Sequence, residues 1–259
     1  MGQKTRIVSW NCNGALRQKL RHLDQLNADI LVIQECENPA HSTLGLKQWA
    51  GEYYWAGTSK HKGLGVFVKN GSSIELLNWQ GTYKIDGFLN TSAAHQWSTS
   101  ELKLFLPVQV GNLTILAVWT KGGYEQAFGY IGQLWKYLHI HHHELSQPNT
   151  MIIGDMNSNA RWDQQDRWWN HTDVVNTLNT LGLDSLYHHL SGEPQGKESL
   201  PTFYMHRNRL KPYHIDYAFM SKDLIHQSSL LIGDVDEWLV ASDHLPLIID
   251  LPAQAHEVM

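Results

Sequence analysis

An α/β fold is predicted by three features of this sequence: short apolar runs, turns of Gly, Asn and Ser between them, and longer stretches whose apolar residues recur at helical spacing. The 259 residues suit one large domain over 1–259, long enough to bury a sizeable core. Hydrophobic residues make up 42% and charged residues 17%, the balance of a soluble globular chain, and no apolar run approaches membrane-spanning length. MGQKTR leads straight into Ile7-Val8-Ser9-Trp10 without the apolar core of a signal peptide, so a cytoplasmic location is expected. Cys12 and Cys36 are the only cysteines, each within an apolar segment, and are expected as reduced, buried thiols. The net charge of −5 excludes the basic footprint of a strong, non-specific nucleic-acid binder but leaves room for a local basic groove or a small substrate.

RIVSWN, residues 6–11, reads as the first strand, closed by the polar turn Asn11-Cys12-Asn13-Gly14. Leu16, Leu20 and Leu23 then share a helical face, and DILVIQ, 29–34, is a second strand with Glu35 following at its end. GLGVFVK at 63–69, residues 74–79 and ELKLFLPVQV at 101–110 read as antiparallel strands, with Pro107 arguing for an edge or a bulge. Residues 112–119 form another strand, ended by Thr120-Lys121-Gly122-Gly123. Phe128, Ile131, Leu134 and Leu138 predict a long helix from about 125 to 145. MIIGDMNSN, 151–159, reads as a buried strand, a turn permitted by Gly154, and then Asp155 and Asn157 presented together. Residues 161–181 read as mostly helical and stop at Gly182, a suitable C-cap. Strands at 202–205 and 215–220 flank the basic connection from His206 to Lys211, and 247–251 is a last apolar strand.

Polar residues thus stand at five strand ends: Asn11, Glu35, Asp155 with Asn157, Asp216 within HIDYAF, and Asp243 with His244. Layered α/β proteins gather their sites in such places. An Asp-x-Asn pair suits phosphoryl chemistry, where a water must be deprotonated and oriented while charge grows on phosphate oxygens. Structural roles suit the same residues: Asp155 as a cap, Asn157 in an Asx-turn, Asn11 closing a turn, Asp216 in an ion pair and Ser242-Asp243-His244 as a cap.

WNCNG, VIQE, GDMN, HIDYAF and SDHLPL, in this order, resemble the endonuclease/exonuclease/phosphatase superfamily that includes exonuclease III and pancreatic deoxyribonuclease, over residues 6–251. The resemblance implies a four-layer α/β sandwich, two mainly antiparallel sheets packed face to face with helices outside. It also implies divalent-metal-dependent hydrolysis of phosphodiesters, most simply in DNA, by in-line attack of an activated water. By position, Glu35 resembles the principal Mg²⁺ ligand, with Asn11 and Asp243 assisting; Mn²⁺ suits the same hard oxygen donors. Asp155 resembles the residue that activates or positions the water, and Asn157 the one that orients it and stabilises transition-state oxygens. His244 resembles the phosphate-contacting histidine, and Asp216 the carboxylate that fixes its tautomer. Trp119 stands where relatives carry a Tyr or His close to the phosphate, and Tyr213 where abasic-site enzymes carry a Trp. SNARWD and the stretch from YHHLSGEP to PYHID most resemble a bacterial branch of the superfamily.

DNA or another phosphate ester is therefore the expected partner, with no membrane and no obligate protein partner. A smaller ester such as a nucleotide, inositol phosphate or phospholipid headgroup is the alternative substrate, and a non-catalytic module that keeps the fold is the alternative class. Arg207 and Arg209 suit phosphate binding or a solvated basic loop. Trp162, Trp168 and Trp169 suit core packing more than base stacking. His139 and His143 would share a helix face able to take an adventitious metal, against a solvated helix end.

Overall fold

The computed structural model describes residues 4–85, 95–122 and 128–252. Its strands are, in chain order, β1 (Thr5–Asn11), β2 (Ile30–Cys36), β3 (Glu52–Ser59), β4 (Lys62–Val68), β5 (Ile74–Leu76), β6 (Thr82–Lys84), β7 (Gln96–Ser98) and β8 (Phe105–Val110). There follow β9 (Leu113–Trp119), β10 (Thr150–Asp155), β11 (Leu183–Ser185), β12 (Phe203–Tyr204), β13 (Pro212–Tyr213), β14 (Asp216–Ser221), β15 (Ser229–Ile232) and β16 (Leu247–Leu251). They form two six-stranded sheets, β15-β16-β1-β2-β4-β3 and β11-β14-β10-β9-β8-β5, and two small ribbons, β12-β13 and β6-β7. Within the sheets only β1/β2 and β9/β10 run parallel.

Strand alternation divides the apolar residues into three cores. Ile7, Ile30, Val32, Val66 and Ile249 of one sheet face Ile115, Ala117, Met151, Ile153, Ala218 and Met220 of the other. The intervening residues Val8, Trp10, Leu31, Ile33 and Phe67 turn outward to meet Leu23, Leu46 and Trp238 from flanking helices. On the far side Leu116, Ile152 and Phe219 meet Leu134 and Leu138 of helix Ile131–Ile140 and Val174 and Leu178 of helix His171–Thr180. The result is the expected helix, sheet, sheet, helix sandwich. Cys12 and Cys36 are free and buried, as expected. Among the described residues no helix is long and apolar enough to cross a membrane.

Several local expectations change in the structure. Gly154 makes no turn: it lies inside β10, paired with Val118 and Tyr217, and a Cβ there would stand 1.9 Å from the Val118 carbonyl oxygen. Its lack of a side chain permits close strand approach at a φ of 147°. Pro107 sits in an inner strand, yet β5 pairs only as far as Val108; beyond it the Pro107 carbonyl accepts from Leu77 N at 2.9 Å, so the missing donor faces the end of the short strand. The helix expected over 125–145 runs from Ile131 to Ile140 and breaks at His141 before a short turn, His142–Leu145, while 123–127 lie outside the described residues. That break removes the face His139 and His143 would have shared, and His139 Nδ1 instead donates to Trp135 O at 2.8 Å. The region expected as helix over 161–181 is helical only at Ala160–Trp162 and His171–Thr180, the latter started by an Asn170/Asp173 capping box and ended before Gly182 at φ 78°.

Candidate active site

The residues that face the inter-sheet core recur at every second position, and the last of each series is polar. In β1 the series Ile7, Ser9 ends at Asn11; in β10, Met151 and Ile153 end at Asp155; in β14, Met220 and Ala218 lead back to Asp216 at the strand's start. Because β10 and β14 are antiparallel, Asp155 and Asp216 are register partners. The sheets are stacked, so Asn11 arrives opposite them. Period two and face-to-face packing together gather these three at one rim of the core.

Asp155 is the hub. Fully buried, its Oδ2 accepts from Asn11 Nδ2 and Asn157 Nδ2, both at 2.9 Å, and its Oδ1 accepts from Asn157 N at 2.8 Å. Asn157 bends back to do this at a φ of 44°, and its amide also donates to Thr120 O at 3.1 Å. His244 Nδ1 lies 3.1 and 3.0 Å from the two oxygens of Asp216, and its Nε2 lies 3.9 Å from Asp155 Oδ2. Thr202 Oγ1 donates to Asp216 Oδ2 at 2.7 Å while accepting from the N–H groups of Ile215 and Asp216. Ser242 Oγ donates to Asn11 O at 2.7 Å and accepts from His244 N at 3.1 Å, and Trp10 Nε1 holds the His244 carbonyl at 3.0 Å, so the 242–244 turn is tied to the end of β1.

Burial pushes the Asp155 carboxyl upward, against the pull of the His244 charge. Burial alone would push the His244 imidazole down, but Asp216 and then Asp155 outweigh it and hold the ring protonated. Ligand atoms of Asp155, Asp216 and His244 lie within 4.8 Å of one another, and with the imidazole protonated only the carboxylate oxygens could face a cation there.

Glu35 follows Gln34, the register partner of Asn11 across β1 and β2. It was expected beyond β2, but β2 continues to Cys36, and the pairing with β4 shifts register between Gln34 and Cys36. Glu35 occupies this bulge at a φ of 60°, strain that a non-glycine residue carries only where the surroundings demand it. Its carboxylate pairs with Lys62 at the start of β4. Asp243 is held through its carbonyl, which accepts from Tyr204 N at 2.7 Å, with Ser242 Oγ 3.4 Å from its Oδ1.

The remaining expected residues have other partners. Trp119 pairs in register with Asp155, but its side chain is 5% exposed within the inter-sheet core; the next residue, Thr120, supplies the carbonyl that Asn157 uses. Arg207 donates to the carbonyls of Val240 and Ala241 at 3.2 Å, and Arg209 pairs with Asp236. Tyr213 stacks obliquely with Trp162, ring centroids 5.3 Å apart. Trp169 packs on the helical core as expected, whereas Trp162 and Trp168 are 42% and 45% exposed. Sequence reasoning did not single out Thr120, Thr202 or Lys62 as site residues. Each acts on a residue far away in the chain, and no spacing betrays that.

The Endonuclease/Exonuclease/phosphatase family model matches residues 8–244. The chain belongs to this family. Solved structures agree in fold. A 3'-5' exonuclease (NExo) from Neisseria meningitidis superposes with a TM-score of 0.67 at 15% identity, covering 95% of this chain and 99% of that one. An AP endonuclease from Archaeoglobus fulgidus gives 0.62 at 16% identity, with 95% and 98% covered. TDP2 from C. elegans gives 0.60 in two crystal structures that each cover 96% of this chain, one at 13% identity with 75% of the other chain covered and one at 14% with 74%. No curated protein sequence matches the chain. These structures share the layered sandwich described above.

Proposed function

We propose that this protein hydrolyses phosphodiester bonds in DNA with the help of a divalent cation, Mg²⁺ or Mn²⁺. The observation that carries the proposal is the Asp155 carboxylate, fixed by the Asn11 and Asn157 amides and faced at 3.9 Å by the imidazole of the His244–Asp216 pair. Asp155 accepts the proton of the attacking water, a role that burial favours by making the carboxylate more basic. Asn157 orients that water by accepting from it through Oδ1, since its two amide N–H groups are taken by Asp155 and Thr120. His244, protonated and held by Asp216, donates from Nε2 to a phosphate oxygen, and Thr202 keeps Asp216 aimed at it.

Glu35, with Asn11 and Asp243, would hold the cation. All three offer hard oxygen donors. The cation, when bound, acts as Lewis acid toward the phosphoryl group. Arg207, Arg209 and Tyr213 are the residues proposed to contact substrate; Trp119, buried in the inter-sheet core, is left out of that role. The family and the DNA-directed relatives favour DNA over a nucleotide or lipid headgroup.

Supercoiled plasmid incubated with purified protein and Mg²⁺ tests this. Nicking should appear, stop with EDTA, and disappear in Asp155→Ala and Asp216→Asn. Plasmid and a single-stranded oligonucleotide both left intact by the unaltered protein would refute the DNA reading, and a panel of small phosphate esters would then decide between the alternative substrate and a non-catalytic module.

A further inference from the structure

A cleft of about 310 Å³ opens beside the catalytic turn, lined by Asn159, Arg161, Lys197, Glu198, Tyr213 and His214 among others. Asn159 is two residues beyond Asn157, and His214 two before Asp216, so each lies within about 7 Å of a site residue along the chain. Of this surface the proposed function uses only Tyr213.

Its wall is rigid. Asn159 Nδ2 donates to Glu198 Oε2, His214 O and Tyr217 Oη at 2.9, 3.0 and 3.1 Å, and Asn159 Oδ1 caps the turn Ala160–Trp162 through Arg161 N. That turn holds Trp162 with 42% of its surface exposed, beside Tyr213. The Arg161 guanidinium carbon lies 5.5 Å from the Tyr213 ring centre. Glu198, the acidic member of the wall, is occupied by His188, Asn159 and the Gly196 N–H, whereas among the described residues no ion pair engages Arg161 or Lys197.

A large indole fixed in the open next to a second ring, with two free cations and room for a planar group, has the properties of a stacking platform for single-stranded nucleic acid. A base within a continuous duplex hides both faces in its own stack, so only an unpaired base can use the platform. Resting on the reading of this protein as a DNA phosphodiesterase, we infer that the cleft holds an unpaired nucleotide of the strand being cut, and that single-stranded or frayed DNA is the preferred substrate over continuous duplex. Stacking also suits a chain of net charge −5, which cannot depend on many phosphate contacts.

Fluorescence anisotropy with an Asp155→Ala protein in Mg²⁺, which binds without cutting, tests the inference on three labelled oligonucleotides: a single strand, its blunt duplex, and the duplex with an unpaired end. The single strand and the unpaired end should bind about tenfold or more tighter than the blunt duplex. Adding Trp162→Ala should weaken those two by about five- to a hundredfold and leave the blunt duplex unchanged. Trp162→Phe should keep most of the affinity, and an unchanged thermal midpoint in both variants shows the fold intact. Two phosphate-binding cations predict a slope of about −1.4 for log affinity against log salt on the single strand. Equal affinity for all three, indifference to Trp162, or binding to none overturns the inference. Cleavage by the unaltered protein separates the readings: cutting with Trp162-indifferent binding refutes the cleft alone, and no cutting with Trp162-dependent binding refutes the hydrolase alone.

Discussion

Thr202→Val offers the sharpest test of how the site is supported. The Thr202 hydroxyl is saturated: its proton goes to Asp216 Oδ2 at 2.7 Å, and its two lone pairs accept from Ile215 N at 3.0 Å and Asp216 N at 3.1 Å. Valine has nearly the same shape but none of these bonds. Two buried N–H groups would lose their acceptor, at about 1–3 kcal/mol each, and a buried carboxylate one charge-assisted donor, at about 1.5–3 kcal/mol. The losses share one centre and do not add, and Asp216 keeps its bonds to His244, so a net destabilisation of about 2–4 kcal/mol is expected. The backbone links of Thr202 to Tyr213 O and Leu245 N, at 2.9 and 2.7 Å, should survive. With Asp216 free to turn, His244 loses its fixed orientation, and kcat should fall about tenfold with little change in KM. Urea unfolding and steady-state hydrolysis read the two effects, and Thr202→Ser, which restores the hydroxyl, should recover most of both. Thr202→Val with stability within about 0.5 kcal/mol and unaltered kcat would refute the reasoning.

Three other perturbations test separate parts of the structure. Gly154→Ala places a methyl group 1.9 Å from the Val118 carbonyl, too close for a side-chain rotation to relieve, and should cost about 2–4 kcal/mol in urea unfolding; an unchanged midpoint would contradict the β9/β10 contact. Burial raises the Glu198 carboxyl, but bonds from His188, Asn159 and the Gly196 N–H more than compensate and lower it from 4.5 to about 2. A lowered folded-state pKa stabilises above the unfolded value and loses that effect as acid is added. Unaltered protein should therefore exceed Glu198→Gln by up to about 3 kcal/mol at pH 7, with the gap closing between pH 4.5 and about 2; a gap that stays constant with pH would rule this out. Glu35→Gln should raise the Mg²⁺ concentration for half-maximal hydrolysis about tenfold or more, and Lys62→Ala, which frees the Glu35 carboxylate, should lower it; identical Mg²⁺ curves would remove Glu35 from the cation site.

Much of the site was legible because strand periodicity is a local property. Asn11, Asp155 and Asp216 each close a series of inward apolar residues, and the turn residues around them mark where the chain leaves the core. Glu35 was legible as a carboxylate near a strand end but not as a bulge, since a register slip depends on the partner strand β4. The exposed Trp162 reads as core when grouped with Trp168 and Trp169 at helical spacing, and only the Asn159 cap shows why its turn projects outward. Gly154 looked like a turn because a glycine needed for close approach and one needed for bending are the same residue in one dimension.

Sequence alone determined which chemistry is present: carboxylates, amides and an imidazole at the ends of buried strands, placed there by a two-residue period that each strand carries within itself. Only the tertiary structure decided their company. Asn11 meets Asp155 across 144 residues of chain because two sheets bury their inner faces against each other, and Ser242 meets Asn11 across 231 because β16 returns beside β1 in one sheet. Contacts of that range depend on strand pairing and on packing between layers, which no local pattern encodes.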